Sequence, residues 1–78
     1  MTDKALVPPN TAGWMVRVKT PPSMEEFYFA AIADEPAAVA AVRARVGDLA
    51  HQSVEGVATL SEIEMVEQDL EPGQIRHA

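Results

Sequence analysis

The stretch DEPAAVAAVRARVG, residues 34–47, decides the fold, because it reads as a helix with both ends marked. Asp34 is a helix N-cap residue, Glu35 places an acid in the first turn, and Pro36 sits where a missing N–H leaves nothing unsatisfied. Val39, Val42 and Val46 recur at i, i+3 and i+7 and form one apolar stripe, which Leu49 would extend by a further turn. Arg43 and Arg45 flank that stripe, where their aliphatic stems can cover apolar surface. Gly47 supplies the left-handed residue that ends a helix, which would leave Leu49 in the following loop. The outer side, Ala37, Ala40, Ala41 and Ala44, is explained by alanine's helix propensity alone.

Upstream of this helix the period changes from 3.6 to 2. Trp14, Val16 and Val18 alternate with Met15, Arg17 and Lys19, the pattern of a half-buried strand. Thr20-Pro21-Pro22-Ser23 ends it, since proline has no N–H for a ladder. Glu26 to Ala33 (EFYFAAIA) is apolar on both faces and rich in aromatics, which suits a second strand; the two form a hairpin around the loop from Thr20 to Glu25. Phe27 and Phe29 are expected on one face, Tyr28 and Ile32 on the other. Residues 1–12, with Pro8-Pro9, Asn10 and no periodicity, read as a flexible arm before a single domain over residues 13–78.

Downstream, Ser53 to Leu60 (SVEGVATL) reads as a third strand, interrupted by Gly56, with Val54, Ala58 and Leu60 on its inner side. Ser61 to Leu70 is ambiguous. Glu62-Ile63-Glu64-Met65 alternates and could extend the strand. Ser61 and Glu64 also make a capping box, with Leu60 and Met65 as its hydrophobic staple, and helix is the better reading. Ile63, Val66 and Leu70 would share its inner face, and Glu71-Pro72-Gly73 ends it.

The expectation is an α+β fold, ββαβα. A small three-stranded antiparallel sheet in order 2-1-3 carries the main helix on one face, with a short C-terminal helix across one end. That is a split β-α-β, half of a ferredoxin-like fold. Its core would hold Trp14, Val16, Val18, Phe27, Phe29, Val39, Val42, Val46, Ala58 and Leu60. No element is left to cover the second face of the sheet, which would carry Met15, Arg17, Lys19, Tyr28, Ala30, Ile32, Val57 and Thr59.

Composition narrows the function. With 78 residues the chain makes at most one small domain and offers little room for an enclosed active site. It has no cysteine, which excludes disulfides, thiol nucleophiles and cysteine-ligated zinc. The net charge of −6 lies wholly in residues 47–78, since the first 46 residues balance. Such a surface repels nucleic acid. No run of about 20 apolar residues or secretory leader is apparent, so a cytoplasmic, non-membrane protein is the default.

His51 and His77 stand in no ligand spacing and no metal or other cofactor is expected; the serines lie in no nucleophile elbow, and the four glycines are isolated. Nothing marks an enzyme. The leading reading is a small interaction module that self-associates, as a homodimer, through the uncovered sheet face, with Met15, Arg17, Lys19, Tyr28, Ile32 and Val57 as its interface residues. Two other readings stand beside it. One is a sensing or regulatory domain that takes a small anion near Arg17 and Lys19. The other is an acidic adaptor docking Glu62, Glu64, Glu67 and Glu71 on a basic protein.

Overall fold

The structure, a computed structural model, describes residues 11–47 and 52–78. The elements run β1 (Thr11–Thr20), β2 (Met24–Ala30), α1 (Glu35–Val46), β3 (Ser53–Ser61), α2 (Glu62–Glu67) and β4 (Ile75–His77). The fold is α+β, with a four-stranded antiparallel sheet in the order β3-β1-β2-β4. The expected 2-1-3 order is present as its first three strands. The three-strand count is corrected to four, because Ile75-Arg76-His77 pairs along the outer edge of β2. Three residues carry no period that sequence could register, and their seat comes from elsewhere. Gly73 N donates to the Ala31 carbonyl, Ala31 N to that of Gln74, and the Arg45 guanidinium to that of Ile75.

Local signals at α1 translate directly. The Asp34 carboxylate accepts from Ala37 N at 3.1 Å, and Gly47 ends the helix at φ 87°. Ala38 and Val42 are fully buried, while Val39 and Val46 flank them half-buried. The place of Leu49 after the helix and the reading of residues 1–10 as part of an arm fall outside the described residues. β1 begins at Thr11, inside the stretch read as an arm.

β2 starts and stops earlier than its composition suggests. Thr20 and Met24 pair across a three-residue turn, and the ladder ends at Ala30. Ala31 to Ala33 leave the ladder to reach the Asp34 cap, and the Ala33 carbonyl accepts from the Trp14 indole N–H at 3.0 Å. This register sets Val16 opposite Tyr28 and Met15 opposite Phe29. The two faces of β2 are therefore exchanged relative to expectation. Tyr28, Ala30 and Ile32 lie on the α1 side with Trp14, Val16, Val18, Val42 and Val54, whereas Phe27 and Phe29 lie on the opposite face with Met15.

β3 also departs from simple alternation. A bulge places Met15 opposite Ala58 but Val16 opposite Gly56, so Val57 is the extra residue. Val54 consequently packs under α1 while Leu60 packs on the other side, and Ala58 is exposed instead of buried. Gly56 is closely packed at the bend, where a Cβ would stand 2.9 Å from the Glu35 carboxylate and 3.0 Å from the Trp14 ring.

The capping box forms as the sequence implies. Glu64 N donates to Ser61 Oγ at 3.2 Å and Ser61 N to Glu64 Oε1 at 2.8 Å. α2 stops after six residues, and Asp69 turns the chain at φ 56°. Its buried residue is Met65, not Ile63 or Val66. Met65 joins Leu60, Leu70 and Ala31, with Ala12 and Phe29 against them, in a second small core on the face of the sheet away from α1.

Candidate interaction face

The face opposite α1 is built in rows by strand pairing. At one end Gly13 lies opposite Leu60, and a Cβ on Gly13 would meet the Met65 sulfur at 3.2 Å, so α2 sits over this end. The next row is Ala58, Met15, Phe29 and Arg76, with the Arg76 guanidinium 5.7 Å from the centre of the Phe29 ring. Then come Glu55, Arg17 and Phe27, and finally Ser53, Lys19 and Glu25, beside the β1–β2 turn. Beyond α2 no described element covers these last three rows.

Arg17 bridges its neighbours. One nitrogen lies 3.6 Å from the Glu25 carboxylate and another is hydrogen-bonded to Glu55. All three side chains are partly exposed, so the ion pairs orient the guanidinium more than they stabilise the fold. Lys19 is exposed and has no carboxylate partner among the described residues. Met15 and Phe27 are half-buried and line a shallow apolar groove that runs to His77 and Ala78. A second open pocket lies at the turn, walled by Lys19, Pro21, Pro22, Met24, Glu25 and Ser53.

The structure thus brings Met15, Arg17 and Lys19 together and separates them from Tyr28 and Ile32. The Tyr28 hydroxyl donates to the Glu26 carboxylate at 3.4 Å, and its ring meets His77 edge-on with centroids 4.8 Å apart. Glu26 also stands 3.9 Å from His77 Nε2. Burial, then the neighbouring Glu26 charge, raises the Tyr28 pKa above its usual 10.0. Val57 is exposed at the bulge.

Of the acidic residues, Glu62, Glu64, Glu67 and Glu71 are all exposed, but Glu64 is engaged in the cap. The side chains that sequence reasoning missed are Phe27 and Phe29 on this face, Arg76 beside them, and the exposed Met24, Ile63 and Val66. Cross-strand charge held the signal for the first two. Only the register that sets Lys19 opposite Glu25 puts both phenylalanines beside Met15 and Arg17.

Among the described residues no cluster of histidine and carboxylate side chains could hold a metal ion, and no helix is long and apolar enough to cross a membrane. The chain matches no protein-family model, no curated protein and no solved structure.

Proposed function

We propose that this chain is a small self-associating module, and that its partner is a second copy of itself packed on the sheet face opposite α1. One observation carries the reading. Three rows of a four-stranded sheet, with Met15 and Phe27 among them, are covered by no described element on that face, while the other face is closed by a helix. The charges support a copy of the same surface over a strongly charged partner. Arg17, Lys19 and Arg76 stand among Glu25 and Glu55, so the face is nearly balanced on a chain whose net charge is −6. A docked copy would shield Phe27 and Met15 from water, and aligned face-to-face stacking of twisted sheets is an established way to close such a layer.

Anion sensing at Arg17 and Lys19 is the weaker reading, because Glu25 and Glu55 already neutralise the guanidinium. The acidic-adaptor reading loses Glu64 to the cap.

Light scattering on a sizing column over a dilution series tests the proposal. The expected mass is twice 8.4 kDa at the concentrated end, falling on dilution. Phe27→Glu and Ala58→Glu should both shift it to the monomer, with the far-ultraviolet circular dichroism unchanged. Ala58 is exposed, so that substitution tests the face without disturbing the core. A monomer at every concentration, or a dimer indifferent to both changes, would refute it.

A further inference from the structure

The open part of the face is small. Three strands about 4.8 Å apart, read over the rows from Met15 to Lys19 with β4 beside the first row alone, span roughly 250 Å² per copy. A standard stable interface needs about 800 Å² from each partner. Contacts outside the open rows must supply the remainder, and the shape of the chain says where they lie.

α2 stands on this face as a step at one end, over Gly13 and Leu60, and the β1–β2 turn lies flat at the other. Two sheets stacked face to face by a two-fold axis can align in two ways. With the axis along the strands, both α2 helices occupy the same end of the layer between the sheets, each over the β3–β1 half of its own sheet, and the acids Glu62 and Glu67 of both copies gather at that end. With the axis across the strands, each α2 abuts the turn end of the other copy.

The side chains at the two ends complement each other. Among the described residues four large apolar side chains are exposed, and three lie at these ends: Ile63 (70%) and Val66 (79%) on α2, Met24 (60%) at the turn. The turn end also holds the open pocket walled by Pro21, Pro22, Met24 and Glu25, with Lys19, which has no ion-pair partner among the described residues, on its rim. Glu62 and Glu67 flank the exposed apolar pair on α2.

We infer that two copies pair across the strands, with Ile63 and Val66 of each α2 seated in the turn pocket of the other and Glu67 facing the other copy's Lys19. The inference rests on the self-association proposed above and fixes its geometry. It also gives the acidic segment a part in the contact, since each copy carries both Glu67 and the Lys19 it would meet.

Two single charge reversals test this at low salt, where rim charges act most strongly. Lys19→Glu and Glu67→Lys each set two like-charge pairs in the homodimer, and each should raise the dimer dissociation constant roughly tenfold. An equimolar mixture of the two variants restores opposite charges at both contacts, and should return to near wild-type affinity. Ile63→Ser should weaken the wild-type dimer by a similar factor without changing the melting temperature of the monomer, since Ile63 is exposed there.

If the wild type dimerises but the mixture is no tighter than either variant alone, the cross-strand geometry is overturned while self-association stands. If the variants dimerise as tightly as wild type, the geometry is likewise overturned. A wild-type chain that remains monomeric overturns the reading beneath both.

Discussion

Gly13→Ala probes how closely the sheet and α2 are fitted. Gly13 is buried, and its φ is not in the left-handed region, so alanine meets no backbone penalty there. The obstacle is space. The new Cβ would stand 2.5 Å from the Ala30 carbonyl oxygen, about half an ångström inside any normal contact, and 3.3 Å from the Ala31 Cα. Both are backbone atoms in or just beyond β2, so relief requires β1 and β2 to separate where they pair. Overpacking of this kind costs about 1–3 kcal/mol. Loss of glycine's freedom in the unfolded chain offsets roughly 0.4–1 kcal/mol of that. The expected net destabilisation is about 1–2 kcal/mol, equivalent to a fall of roughly 4–15 °C in Tm for a domain of this size. Urea unfolding at fixed protein concentration measures it, followed by circular dichroism and by the fluorescence of Trp14, the one tryptophan, which is 8% exposed. Gly56→Ala is the internal comparison. Its closest obstacles are the Glu35 carboxylate at 2.9 Å, a flexible group that can swing aside, and the Trp14 ring at 3.0 Å; neither is backbone, so its penalty should be smaller. A Gly13→Ala protein as stable as wild type would refute the reasoning. A penalty that vanishes in a Met65→Ala background would instead put the strain on the Met65 sulfur.

Val42→Ala empties a fully buried position under α1 and should cost about 2–3 kcal/mol in chemical denaturation, two methyl groups plus the cavity left behind. Ser61→Ala removes the oxygen that accepts from Glu64 N and should lower stability by about 1 kcal/mol, with the loss of helical circular dichroism confined to α2. Tyr28 is the one tyrosine, so phenolate absorbance reports it alone. Its midpoint should lie above 10.0, and Glu26→Gln should bring it down. Because the folded state holds the Tyr28 proton more tightly than the unfolded chain, this contribution to stability is intact below pH 10.0 and is lost as the pH rises through the folded-state value. A Tyr28 that titrates at or below the ordinary value would contradict the environment described for it.

What the sequence made legible follows the range of the interactions involved. The caps at Asp34, Gly47 and Ser61 are settled within four residues of chain, and each is where the pattern placed it. The strands β1 and β3 and their antiparallel pairing could also be read, because Trp14 to Lys19 alternates and a helix must return the chain to the sheet. The face of β2 could not. Phe27, Tyr28, Phe29 and Ala30 are apolar in both directions, so composition does not choose between the two orientations; the three-residue turn chooses, by pairing Thr20 with Met24. The same limit hid β4, which is held by hydrogen bonds from Ala31, Gly73 and Arg45, and it misassigned α2, where a stripe of Ile63, Val66 and Leu70 presumed a helix longer than the six residues present. These misreadings bear on the interaction face in one direction. Moving Tyr28 and Ile32 to the α1 side brings Phe27 and Phe29 to the open rows, and turning α2 onto Met65 leaves Ile63 and Val66 outward. The corrected face is therefore more aromatic than the expected one, and it carries a step that a flat sheet lacks. A flat face gives a second copy no reason to prefer either orientation, whereas an acidic, apolar-tipped step at one end and a pocket with Lys19 on its rim at the other favour the pairing proposed above.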